Sequence, residues 1–171
     1  MSKIGLFYAS STGNTEDTAQ LIQEKLKPLE IDLHNIDSAT DNAMENYTKI
    51  IIGASTWGEG DLQDDWEEYF PNLDNIDFSN KTVALFGLGD QDEYGEYFLN
   101  AMGTIYQKVV EKGAKVVGSW PIEDYDFEAS TAVVDGEFVG LALDEDNEFD
   151  LTQDRVSQWT EQIKPYFQGA A

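Results

Sequence analysis

Short apolar runs alternate with helical patterns along this chain, and few architectures accommodate that order. The runs occupy residues 3–9 (KIGLFYA), 31–36, 49–55 (KIIIGAS), 82–88 (TVALFGL) and 115–120 (KVVGSW). The first mixes aromatic and branched residues with no polar alternation, the pattern of a strand covered on both faces. Helical spacing falls between and after the runs, at residues 15–27, 63–70, 95–111 and 152–167. In the first of these Ala19, Ile22 and Leu26 share one face, and Pro28 stops the pattern. Strands alternating with helices predict an α/β fold: a five-stranded, parallel, doubly wound sheet with helices on both faces. A length of 171 residues suits one such domain, spanning 1–171.

Residues 121–150 break the alternation. Within them, 132–134 and 137–139 flank Asp135-Gly136, a hairpin signature, and 138–143 can return to the sheet edge. The segment is therefore expected to be a long excursion interrupting the fifth strand.

Composition removes whole classes of chemistry. The chain has no cysteine, which excludes disulfides, Cys-ligated zinc, iron–sulfur clusters and thiol nucleophiles. A single histidine, His34, leaves no multi-histidine metal site within one chain, and it reads as a surface residue on or near the second strand. The acid run at 144–150 lacks the glycine and terminal glutamate of a calcium loop, so no metal is expected. With 34 acids against 10 bases and a formal charge of −24 at pH 7, the chain would repel nucleic acid and anionic membrane surfaces. No apolar stretch reaches membrane-spanning length and no signal peptide is evident, so a cytoplasmic location without membrane insertion is expected.

In an open parallel sheet, ligands bind beyond the carboxyl ends of the strands. Three loops lie there. Ser10, Ser11, Thr12, Gly13, Asn14 and Thr15 follow the first strand and run into a helix. Hydroxyls, successive N–H groups and a helix N-terminus can together hold a phosphate without any Lys or Arg. A nucleotide P-loop is absent, and Gly87-Leu88-Gly89 meets Asp92 where a dinucleotide fingerprint needs its third glycine. The second loop places Thr56 and Trp57 before Gly58, Glu59 and Gly60; the third places Tyr94 after Leu88, Gly89 and Asp90. One anion cradle and two aromatic plates suit a flat aromatic ligand that carries a phosphate.

The chain resembles the flavodoxins at these loops. The stretch 6–15 (LFYASSTGNT), continued by Ala19 and Ile22, satisfies that family's N-terminal pattern, and 56–60 (TWGEG) and 89–91 (GDQ) with Tyr94 resemble its two flavin-flanking loops. The excursion in the fifth strand is similar to the long-chain subgroup. The resemblance implies the family's strand order, 2-1-3-4-5, and non-covalent FMN as cofactor. It implies phosphate held by Ser10 to Thr15, Trp57 on one face of the isoalloxazine and Tyr94 on the other. Backbone of Gly58, Glu59, Gly60, Leu88, Gly89 and Asp90 would reach the ring edge, with Tyr97 and Leu99 as further ring contacts and Asp146 near the ribityl chain. Gly58 tolerates the positive φ that a peptide flip beneath the ring would demand.

That site implies a low-potential one-electron carrier acting in place of an iron–sulfur ferredoxin, with no substrate turnover and no catalytic residue. An FMN-dependent NAD(P)H or quinone reductase on this fold would need one open flavin face, which two plates deny. A phosphoacceptor regulator would need an acid at the end of the third strand, where the chain has Ser55, Thr56 and Trp57. Twelve acids and no base lie between Lys49 and Lys108 apart from Lys81, around the two aromatic loops. They predict docking to basic faces of redox proteins, such as a ferredoxin/flavodoxin–NADP reductase and low-potential donors or acceptors, by a monomer.

Overall fold

The computed structural model describes residues 4–9, 13–27, 29–38, 43–57, 61–62, 64–89 and 95–167. Its centre is a parallel sheet of β1 (Ile4–Tyr8), β2 (Ile31–Asn35), β3 (Lys49–Trp57) and β5 (Thr82–Leu88), ordered β2-β1-β3-β5. Every residue of β1 is buried, as are the last six of β5, in keeping with a sheet enclosed between two layers.

The fifth position is filled twice. Strand β6 (Lys115–Val117) pairs with Thr82, Val83 and Ala84 at the start of β5, and β10 (Leu141–Leu143) pairs with Phe86, Gly87 and Leu88 at its end. Between them the chain leaves the sheet and builds a small antiparallel sheet of β7 (Trp120–Pro121), β8 (Val133–Val134) and β9 (Glu137–Phe138). The expected interruption of the fifth strand, the hairpin and the family strand order are all present. Asp135 and Gly136 have φ of 54° and 83°, the paired positive values that a tight hairpin turn requires.

Helices α1 (Asn14–Lys25) and α5 (Thr152–Phe167) pack beside each other, and α3 (Asn100–Glu111) packs on β3 and β5. Neighbouring residues of β5 separate the layers. The Phe86 ring meets Trp159 of α5 edge to face at 6.4 Å, whereas a Cβ on Gly87 would lie 3.2 Å from Met102 of α3. Adjacent strand residues point to opposite faces, so α3 and α5 cover opposite sides of the sheet. Short helices α2 (Asp64–Tyr69) and α4 (Glu145–Glu148) fill the remaining connections.

Three elements differ from the expected boundaries. The run at 115–120 stops as sheet at Val117, because Gly118 turns at φ 87° and its carbonyl accepts the Trp159 indole N–H at 2.8 Å. The helix expected over 95–111 breaks at Leu99, whose φ is 59°. Phe98 and Leu99 are both fully buried, Phe98 among the rings of Tyr125, Phe127 and Phe138 and Leu99 beneath Gly87 and Gly89, and the left-handed turn lets both bury. Strand β3 runs on to Trp57 and folds back as β4 (Asp61–Leu62), with Thr56 opposite Leu62 and Trp57 opposite Asp61.

His34 is more enclosed than a surface residue. Its ring stacks on buried Phe7 with centroids 4.7 Å apart, and Nε2 lies 2.7 Å from the Tyr47 hydroxyl. That hydroxyl donates to Asp32 at 2.9 Å, so it accepts from His34. Burial and the Asp32 carboxylate push the Tyr47 phenol up to about 12.

The return of the chain to the sheet is tightly constrained. A Cβ on Gly140 would sit 2.1 Å from the Leu85 carbonyl oxygen, a backbone atom that cannot step aside. Gly140→Ala is expected to lower unfolding stability by about 2–3 kcal/mol, read from the urea midpoint. An unchanged midpoint would mean that β10 does not approach β5 as closely as described.

Candidate functional site

The carboxyl ends of the central strands lie at one end of the sheet, in two successive rows. Tyr8 of β1 pairs with Gly53 of β3, Gly53 with Phe86 of β5, Ser55 with Leu88, and Leu88 with Leu143 of β10. Segments leaving Tyr8, Trp57, Leu88 and Leu143 therefore start from the same end of the sheet, where the three expected loops and a fourth segment begin.

After β1, Gly13 takes φ 92° and starts α1, with Asp17 N–H bonded to its carbonyl at 2.9 Å. The N-cap residue is Gly13 itself, which offers no side-chain acceptor to the first-turn N–H groups, and the helix begins at the carboxyl end of the sheet. Among the described residues nothing lies within 4 Å of where a Gly13 Cβ would sit. A helix N-terminus at a strand end can accept an anion. Thr15 is buried at its base. Tyr8 is buried as well, and burial, then Glu16 and Asp37, raise its phenol above the ordinary value.

Thr56 does structural work that the loop pattern did not disclose. Its Oγ1 accepts the Ala101 N–H at 3.0 Å, standing in for a cap at α3, whose own N-cap residue Leu99 supplies none. Gly89 N–H donates to the Leu143 carbonyl at 3.0 Å, tying the third loop to β10. Beyond β10, fully buried Asp144 accepts from Asn147 N–H at 3.0 Å and from its side-chain amide at 2.9 Å, which fixes the start of α4 and the backbone of Asp146. The spacing of Asp144 and Asn147 before a helical stretch is a capping signature, legible in an acid run that otherwise reads as surface charge.

Of the expected site residues, Leu88 is buried at the end of β5, Leu99 is fully buried beneath Gly87 and Gly89, and Tyr97 is half-buried in a 3₁₀ turn, Gly95–Tyr97. Asn14 opens α1, Trp57 ends β3 and Asp146 lies in α4. Ser10, Ser11, Thr12, Gly58, Glu59, Gly60, Asp90 and Tyr94 lie outside the described residues. A groove of about 560 Å³ runs elsewhere, along β6 and the hairpin between Tyr106, Val116, Val134 and Tyr166, beside the amino half of β5.

A family model described as Flavodoxin matches residues 6–159. The chain belongs to the flavodoxin family. It is 48% identical over 169 residues to a flavodoxin from Synechocystis, covering 98% of this chain and 99% of that one. It is 46% identical to flavodoxin 1 of Escherichia coli, across 95% and 93% of the two chains. Among solved structures, a Fusobacterium nucleatum flavodoxin bound to flavin mononucleotide superposes with a TM-score of 0.94 at 35% identity, covering 98% of this chain and all of its own. Flavodoxins are electron-transfer proteins without substrate turnover of their own, which bears out that expectation for this chain.

The Thr56 contact makes a stability prediction. Thr56→Val should leave the Ala101 N–H without its acceptor and cost about 1–2 kcal/mol in urea unfolding, while Thr56→Ser retains most of the stability. Equal stability of the valine variant would remove Thr56 from this role.

Proposed function

We propose that this flavodoxin-family chain holds FMN without a covalent bond at the carboxyl ends of β1, β3 and β5 and passes single electrons between redox proteins, at low potential and in place of an iron–sulfur ferredoxin. The observation that carries the reading is the start of α1 at Gly13, shortly after β1, at the same end of the sheet as the carboxyl ends of β3, β5 and β10. The residues at this end of the sheet fit a phosphate-bearing flavin. Ser10, Ser11, Thr12, Asn14 and Thr15 would surround the phosphate with neutral donors, aided by the dipole of α1. Trp57 and Tyr94 would cover the two ring faces, Gly58 to Gly60 and Leu88 to Asp90 would line its edge, Tyr97 and Leu99 would back it, and Asp146 would lie toward the ribityl chain. Bound FMN supplies a centre that accepts and returns one electron at a time.

The chain's own part is to set the energy of the added charge and to limit access. Aromatic walls exclude water and disfavour an anion inside them. Each carboxylate at roughly 10 Å adds about 0.4 kcal/mol, or about 20 mV for one electron, before screening by salt. The dozen acids between Lys49 and Lys108 then contribute on the order of 100 mV at most, less than desolvation can. Two covered faces would keep a nicotinamide from stacking while leaving one edge for electron exchange. The same acids fit basic partner faces, such as that of a ferredoxin/flavodoxin–NADP reductase, met by a monomer in the cytoplasm. Among the described residues no helix is long and apolar enough to cross a membrane.

Reconstitution with FMN tests this directly. The expected result is one tightly bound FMN per chain, two resolved one-electron steps during anaerobic titration, and reduction by a partner reductase that slows as salt rises. Sustained NADPH oxidation by the FMN-loaded chain alone, or salt-independent partner rates, would contradict the reading.

A further inference from the structure

The turn Phe149–Leu151 carries the most exposed large apolar side chain among the described residues. Phe149 is 69% exposed and Leu151 38%, with exposed Asp150 between them and exposed Asp154 one helical turn on. The turn follows β10 and α4 directly, so it stands at the carboxyl end of the sheet, beside the segment that Gly89 N–H ties to Leu143.

It is also held rigidly. Asp144 caps α4, and Glu148 N–H bonds the Asp144 carbonyl at 2.8 Å. The Glu148 carboxylate pairs with Arg155 of α5 at 2.9 Å, and the buried Arg155 guanidinium lies 4.3 Å from the centre of the Tyr125 ring. An aromatic side chain kept in water by a braced turn loses little further freedom when a partner covers it, which is the property of an interface anchor.

The surrounding charge selects the partner. From Asp144 to Asp154 the chain carries six acids and no Lys or Arg, and Arg155 is itself buried and paired. A second copy of this chain would bring another −24 against the patch. We propose that Phe149, flanked by Leu151, is the apolar anchor by which this chain docks a redox protein whose face offers an apolar pocket within a basic rim. Asp150 and Asp154 steer the approach, and Phe149 sets how long the complex lasts. This rests on the carrier reading above and adds to it a site that charge alone does not specify.

The test uses the FMN-loaded full chain and a purified ferredoxin/flavodoxin–NADP reductase supplied with NADPH. Phenylalanine at this exposure supports no core, so Phe149→Ala should fold and keep its FMN affinity and potentials. The concentration giving half-maximal electron transfer should rise about 5- to 10-fold, with the limiting rate at saturation unchanged, and the defect should persist in high salt. Phe149→Leu should recover most of the loss. Asp150→Asn with Asp154→Asn should slow association at low salt only. If wild type exchanges electrons and Phe149→Ala matches it at every salt concentration, the anchor is overturned and the carrier reading stands. If wild type takes no electrons from the reductase at any concentration, both fall. A concentration-dependent dimer in sedimentation that Phe149→Ala abolishes would assign the patch to self-association and overturn the proposal.

Discussion

The close approach of Gly140 to the Leu85 carbonyl governs the layout of the functional end of this molecule. Only a hydrogen fits between the two backbones, and because it fits, the chain that left the sheet after Val117 can rejoin β5 as β10. Rejoining sets Leu143 beside Leu88, and that alignment in turn provides the Gly89 hydrogen bond, the buried Asp144 cap and the braced turn at Phe149. An edge strand in two pieces thus delivers a fourth segment to the sheet end that a continuous strand would deliver only by ending there. The Tyr125 hydroxyl strengthens the join, donating to the Ala142 carbonyl at 2.5 Å while accepting the Trp120 indole N–H at 2.9 Å.

Electrostatics and packing divide the work at that end. A chain with 34 acids pays in self-repulsion for any compact state, and the sheet offsets it with a continuous apolar interior from Ile4 to Phe167. The charge left on the surface lies in long stretches without a base, around the loops after β3 and β5 and along the excursion. Long-range attraction to a basic partner follows from such a field, but orientation does not, since a diffuse charge has no preferred contact. An exposed aromatic side chain on a rigid turn supplies the local contact that the field lacks.

Much of the fold was legible in the chain itself. Runs such as TVALFGL at 82–88 mark their strand end to end, the helix at 152–167 has the expected bounds, and Asp135-Gly136 announced its hairpin. What escaped is the work of distant contacts. Gly118 ends a strand because Trp159, 41 residues on, needs its carbonyl. Leu99 adopts a left-handed conformation because two consecutive side chains must bury, and His34 is drawn in by a ring on the neighbouring strand and a phenol before β3. For the site, the strand ends from which the three loops start were readable from the apolar runs. The support from Thr56 and Leu143 was not, because each acts through a backbone group brought near only by folding, whereas the Asp144 cap is local and its spacing to Asn147 shows in the sequence.

Amide hydrogen exchange of the full chain with and without FMN tests most directly whether those strand ends form one cradle. The account predicts added protection over residues 10–15, 55–60 and 88–95, with 115–119 and 133–138 along the distant groove unchanged. Protection gained along that groove, with the three loops unaffected, would contradict it.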